Sequence, residues 1–196
     1  MRATCLIVAL FCLSSVLHAA TFTVTQSADS NDVCDSACSL REAISAANSA
    51  AGSDTIAFAL PDVGPFVLGV STPLPQIIET LSIDGYTQGG SSANSATVGS
   101  NAVLQIELRG SGSANIGLAL CAPNILVRGL AITGFGAAGL HTATSGPISC
   151  VTSGSNVRVE GNFIGLEADG LTARPSGQGI VVNGGTAHIE IGRAHV

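Results

Sequence analysis

Tryptophan and lysine are missing from this chain, tyrosine and methionine occur once each, and only 10% of its residues are charged. Its seven basic residues, all arginine, are outnumbered by thirteen acids for a net charge of -6. That balance excludes nucleic acid as a partner, because neutralising phosphates needs a positive face. With 24 glycines and 46% hydrophobic residues, the chain is one of small side chains and many turns, neither helical nor disordered in character.

Long apolar runs are scarce too. The one within MRATCLIVALFCLSSVLHAA follows a lone charge at Arg2, extends from Cys5 to Leu13 and precedes the small residues Ala19 and Ala20. It is too short to span a bilayer, and predicts a secretory leader over residues 1–20, cleaved near Ala20. A lipoprotein reading fails at Phe11, because lipid attachment at Cys12 needs a small residue before it. No later segment is apolar for long enough to cross a membrane. Removing the leader takes Cys5 and Cys12 with it and leaves Cys34, Cys38, Cys121 and Cys150 bound for an oxidising compartment. An even count there argues for two disulfides. No histidine lies near Cys34 and Cys38, which argues against zinc.

Sustained helical periodicity occurs in one place only. From Thr55 onward, short runs such as TIAFAL, TLSIDG, VLQIELRG, NILVRGLAI and NVRVEGNFIG alternate with Gly, Asn, Ser and Pro turns, each about the length of a strand. Ile83-Asp84-Gly85, Leu108-Arg109-Gly110, Val127-Arg128-Gly129 and Val159-Glu160-Gly161 repeat an apolar, charged, glycine pattern at uneven spacing. Repetition with loops of variable length suits a parallel β-helix better than a propeller or an antiparallel sandwich. Gly161-Asn162 and Asn183-Gly184-Gly185 are the expected corners. Cys121 and Cys150 each precede a matching strand, so they fall in similar turns of successive coils. Stacked coils lie about 4.8 Å apart, within the usual disulfide Cα separation of about 4.4–6.8 Å, so the two are expected to be bonded.

The exception is CDSACSLREAISAANSA, residues 34–50. Ser39 and Glu42 form a capping-box pattern that starts a helix at Leu40, and Leu40, Ala43, Ile44 and Ala47 fall on one apolar stripe. Asn48 and Gly52 are expected to stop it. A helix this short must lay its stripe on something, and the first coil of a solenoid exposes an apolar cross-section that needs covering. TFTVT, residues 21–25, adds a strand to the same cap, a Cys34–Cys38 bridge fixes the loop between them, and a loop aspartate is the expected partner of Arg41.

CSLREAISAAN, preceded by TFTVT and an Asp-rich loop and followed by SDTIAFAL, TLSIDGYTQ, VRGLAI and EGNFIG, resembles the bacterial CSLREA-domain proteins over nearly all of the mature chain. The CSLREAI string is specific, whereas the later matches are generic to β-helices. The resemblance implies export to the surface or medium and an all-β, right-handed parallel β-helix with a short N-terminal capping helix. It brings no catalytic residues.

Chemistry has few footholds. Asp29, Asp32 and Asp35 are calcium candidates, although their spacing departs from an EF-hand loop. The acids Asp84, Glu107, Glu160, Glu167, Asp169 and Glu190 are scattered one per strand or loop, without the pairing that glycan hydrolysis requires. Arg109, Arg128 and Arg158 could line one face for an acidic glycan, and His141 has no nucleophile beside it. The terminal IGRAHV, residues 191–196, is what the start of a common sequencing adapter would encode, and predicts a non-native tail on a fragment whose coils originally continued. The organisation expected is thus a leader over 1–20, a cap over 21–54 and coils over 55–190. The expected role is an exported scaffold or adhesion module with a cell-surface or glycan partner; the alternative is a lyase or hydrolase of acidic glycans.

Overall fold

Alternation builds the strands: in DTIAF, Asp54, Ile56 and Phe58 are buried on one side while Thr55 and Ala57 are half-buried on the other. The computed structural model describes residues 18–112, 115–143, 150, 155–183 and 189–191. The leader, apart from 18–20, the tail from 192, and the Gly184-Gly185 corner lie outside the described residues. Among the described residues the fold is mostly β, with one short helix. Its elements are β1 (Thr21–Val24), α1 (Leu40–Ser49), β2 (Asp54–Phe58), β3 (Phe66–Val70), β4 (Leu81–Asp84), a single 3-10 turn (Gly85–Thr87), β5 (Ile106–Gly110) and β6 (Ile116–Ala119). They continue with β7 (Leu126–Arg128), β8 (Leu130–Thr133), β9 (Ala138–Ala143), β10 (Val157–Glu160), β11 (Phe163–Ile164), β12 (Ile180–Asn183) and β13 (Ile189–Ile191).

Every pairing between these strands is parallel. The first sheet has the order β1-β2-β4-β7-β10-β13, the second β11-β8-β5-β3 and the third β12-β9-β6, and from β4 onward the chain visits them in rotation. Register aligns like with like: Phe22, Ile56, Ile83, Val127 and Val159 form one row of the first sheet. Leu68, Leu108, Ile132 and Ile164 form a row of the second, and Leu118, Leu140 and Ile180 one of the third. The three rows pack into a single apolar cluster.

The repeated apolar-charged-glycine pattern divides between two sheets. Ile83, Val127 and Val159 share a register, at steps of 44 and then 32 residues. Leu108-Arg109-Gly110 instead ends β5 in the second sheet, opposite Ile132 and Thr133. The pattern therefore marks the end of a strand before a corner, whichever sheet that strand is in. At the corner between β7 and β8, Gly129 has φ +72°, and a Cβ there would sit 2.8 Å from the Tyr86 amide nitrogen. Tyr86 crosses over this glycine and donates its hydroxyl to the Gly161 carbonyl at 2.8 Å. Buried Asn162 spans the same corner, accepting from the Leu130 amide at 3.0 Å and donating to the Val127 carbonyl at 2.9 Å.

Ser39 N-caps α1: its hydroxyl accepts from the Glu42 amide at 3.2 Å, and Glu42 Oε2 accepts from the Ser39 amide at 2.7 Å. Leu40, Ala43, Ile44 and Ala47 are buried in the apolar cluster. The stop differs from the expected one, since the Ala50 amide folds back onto the Ala46 and Ala47 carbonyls. Asn48 works elsewhere, donating to the Gln76 carbonyl at 2.7 Å and accepting from the Ile78 amide at 3.0 Å. Between them, Ile77 pairs with the chain at Leu120, its amide bonding Ala119 and its carbonyl bonding Cys121. Alternate residues of a strand direct their backbone groups to opposite sides, so the Asn48 carboxamide stands in for a neighbouring strand at the start of the third sheet.

Asn48→Ala should therefore strand two backbone groups and lower stability by about 1–2 kcal/mol, read as a lower urea midpoint with an unchanged m-value. Ile44→Asp, which places a charge inside the cluster, should abolish soluble folding, read by recovery from the soluble fraction.

Candidate functional site

The segment around α1 works as a clamp. Arg41 makes a fork with Asp29, Nε to Oδ1 at 2.7 Å and Nη2 to Oδ2 at 2.9 Å. The same guanidinium reaches Pro73 O at 2.7 Å, Thr72 O at 3.0 Å and Thr72 Oγ1 at 3.0 Å. It thus ties the loop before α1 to the connection after β3. Glu42 Oε1 accepts from the Asp32 amide at 2.8 Å. Burial alone would push the Glu42 carboxyl up, but the amides of Ser39 and Asp32 and the hydroxyls of Ser30 and Ser39 bring it below its ordinary range. Cys34 and Cys38 are bonded at a Cα separation of 4.4 Å, and Cys121 and Cys150 at 5.0 Å.

The three aspartates offered for calcium, Asp29, Asp32 and Asp35, have separate surroundings. Asp29 faces Arg41, and Asp35 accepts from the Ala37 amide two residues on, at 2.9 Å. Among the described residues no three His, Cys, Asp or Glu side chains come together as a metal-holding group.

A polar network lies on the outer side of the second sheet. Glu107 is only 2% exposed, and its Oε1 accepts from Arg109 Nε at 2.7 Å and from Thr133 Oγ1 at 2.9 Å. Burial opposes its charge, but Arg109, Thr133 and the Ala168 amide outweigh burial and lower its pKa. Arg109 Nη2 stands 3.2 Å from Glu167 Oε1, and Arg174 Nη1 stands 4.0 Å from the same oxygen. Glu107 and Arg109 thereby hold the turn that the Leu166–Ala173 bridge closes against the sheet.

Beside this network two clefts meet at Ser111. One, of about 280 Å³, is lined by Gly69, Val70, Ser71, Arg109, Gly110 and Ser111. The other, of about 330 Å³, runs past Ser111, Gly134, Phe135 and Gly136 to Arg174 and Pro175. Among the described residues, arginine is the only charged residue lining either. Backbone bonds from Gly134 to the Arg174 carbonyl and from Gly177 to the Phe135 carbonyl place the two stretches on neighbouring passes of the chain.

The other sequence candidates sit apart. Asp84, Arg128 and Glu160 are register partners on the first sheet, with Arg128 Nη2 2.6 Å from Asp84 Oδ2. Arg158 pairs with Glu160. Asp169 closes its own turn, accepting from the Leu171 and Thr172 amides and from Thr172 Oγ1. The side chain of Glu190 lies outside the described residues. His141, on β9, is 3% exposed, its Nδ1 has no hydrogen-bond partner among the described residues, and burial lowers its pKa. Of the three arginines expected on one face, Arg109 lies on the second sheet and Arg128 and Arg158 on the first. Arg174 and Thr133 escaped the sequence reading, because Thr133 comes beside Arg109 only through parallel register and Arg174 reaches Glu167 only through the turn that the Leu166–Ala173 bridge closes.

Comparisons with protein-family models, with curated proteins and with solved structures find no match to this chain. What fold and site define together is a class: a disulfide-bonded, mostly β protein of parallel sheets with a short buried helix. Among the described residues no helix is long and apolar enough to cross a membrane.

Arg41→Lys keeps the charge but loses the fork and most of the carbonyl bonds, and should cost about 2–3 kcal/mol in urea unfolding. For His141, the unfolded chain takes up a proton near pH 6.5 while the buried folded imidazole resists it. Stability should therefore fall as pH drops below about 6.5, and His141→Gln should remove that part. The separate loss below about pH 4.5, where the unfolded forms of Glu42 and Glu107 protonate, should remain. Thermal melts across pH 4–8 read both.

Proposed function

We propose that this chain is an exported right-handed parallel β-helix of the CSLREA-domain kind, acting as a surface scaffold or adhesion module whose clefts contact an acidic glycan. The observation that carries the scaffold reading is the rotation of the chain through three parallel sheets with its aliphatic rows in one cluster. Export is supported by the two disulfides and by the leader-like start. The paired clefts support the glycan contact. In a protein of net charge -6, the only charged residues lining them, among the described residues, are Arg109 and Arg174. Glu107 and Glu167 hold the Arg109 guanidinium in place, so little side-chain freedom is lost on binding.

The competing reading is a lyase or hydrolase of acidic polysaccharide, favoured by Glu107 and Glu167 meeting at one guanidinium. Glu107 is poorly suited to proton transfer, being buried, fully bonded and lowered in pKa.

Oligogalacturonate and neutral maltooligosaccharide, titrated calorimetrically and assayed for new reducing ends and unsaturated uronides, separate the readings. Binding of the acidic chain without turnover is expected, and depolymerisation would favour the enzyme. Gly69→Glu is the sharpest variant: a Cβ there meets nothing within 4 Å, so the fold is kept while an acid enters the cleft. It should weaken oligogalacturonate at least roughly tenfold, whereas Gly89→Glu, equally open, should not.

A further inference from the structure

Asp54 opens β2 and is 1% exposed. Its Oδ1 accepts from the backbone nitrogen of Ala20 at 2.8 Å, while Oδ2 is buried without a hydrogen-bond partner among the described residues. None of the ion pairs formed among the described residues includes Asp54. A carboxylate this deep with one neutral donor is left badly under-compensated.

We infer that the chain is cut between Ala19 and Ala20, and that the α-ammonium of Ala20 so released is the buried counter-charge of Asp54. The inference rests on the export reading and sharpens it to one bond. Ala20 has to remain, because its carbonyl accepts from the Thr55 amide at 2.8 Å and extends the β1–β2 ladder by one residue. A cut after Ala20 would take away that acceptor together with the donor to Asp54. His18 and Ala19 are exposed, and Ala19 is the small residue that a leader peptidase needs on the leaving side. Upstream chain also crowds this site: Gly52 has φ +140°, and a Cβ there would sit 2.7 Å from the His18 carbonyl oxygen.

The step is a hydrolysis catalysed by a leader peptidase. Water adds across the Ala19–Ala20 peptide bond, its oxygen going to the Ala19 carbonyl carbon to give a carboxylate, while the Ala20 nitrogen leaves as an amine protonated at neutral pH. That nitrogen already lies beside Asp54, and it now carries three protons where the amide had one. One keeps the bond to Oδ1 and another is free to reach Oδ2. The uncut chain buries a lone carboxylate, so this part of the fold is completed only after the leader is removed.

The lack of lysine makes the test clean, because the Ala20 α-amine is then the one primary amine of the processed protein. The full chain is produced with its leader in a bacterial host, and the recovered protein is weighed by mass spectrometry. It is then treated with N-hydroxysuccinimidyl acetate, folded and in urea. The expected mature chain begins at Ala20, and in the folded state its amine acetylates roughly tenfold more slowly than in urea, because a paired ammonium supplies less free amine. Asp54→Asn should remove that protection. A chain retaining residues 1–19 in the cytoplasm would sink the export reading and this one together. An exported chain beginning at Thr21 or elsewhere, or an Ala20 amine acetylated equally fast folded and unfolded, would overturn this inference alone. Should Asp54→Asn fail to fold, the N-terminal mass and the folded-to-urea ratio of the parent protein still decide it.

Discussion

Parallel stacking leaves its first pass with a problem at two scales. Backbone amides and carbonyls on the outer side of each leading strand have no partner, and the cross-section of Ile, Leu and Val between the sheets faces water. Residues 20–54 answer both. The stripe of Leu40, Ala43, Ile44 and Ala47 covers the cross-section. The Asn48 carboxamide satisfies the edge at Gln76 and Ile78. Arg41 then fastens the cover, because its fork to Asp29 and its bonds to Thr72 and Pro73 hold the cap loop and the first pass in one geometry. A helix this short has little stability of its own, so the cap and the stack it closes depend on each other.

Register has a second consequence, for the charges. A row that repeats from pass to pass places outward residues as strictly as inward ones, so Asp84 meets Arg128, and Arg128 meets Glu160, without any of them being close in sequence. On the second sheet Thr133 lies opposite Arg109, and the Glu107 carboxylate bonds both. Such rows alternate in sign where like charges at stacking distance would repel. Most of the arginines and acids that looked available for chemistry are thereby engaged in holding neighbouring passes together. At the clefts beside Ser111 the acids that pair with Arg109 and Arg174 stand outside the lining, and glycines make up much of the wall.

What was legible in the sequence was local. Ser39 and Glu42 are three residues apart and announce the helix start, and the apolar stripe follows at helical spacing. Strand identity was equally readable from alternation in LQIEL and VRVEG. What was hidden depends on which residue stacks on which. Leu108-Arg109-Gly110 looks like Val127-Arg128-Gly129 but belongs to another sheet, because both sheets need the same turn chemistry at their ends. Asn48 looks like a helix stop because its partners, Gln76 and Ile78, lie some thirty residues on. Arg41 could be given a loop aspartate as its partner, but not Asp29 in particular, and the carbonyls of Thr72 and Pro73 left no local trace.

Uneven repeat length obscured the stacking in the sequence, yet it costs the fold little. Loop closure grows with the logarithm of length, so a step of 44 residues rather than 32 costs about 0.3 kcal/mol. Insertions can therefore accumulate in the connections while the inward rows keep their register. The bridge between Cys121 and Cys150 acts on a larger scale. Closing 29 residues takes about 3–4 kcal/mol of chain entropy from the unfolded state, roughly ten times the cost of the longer step. It also ties one pass of the chain to the next, since Cys121 follows the third-sheet bridge at Leu120 and Cys150 follows β9, with β7, β8 and β9 between them. A reducing environment would remove that contribution while leaving the aliphatic rows intact, so the disulfide reinforces between two passes what register already sets.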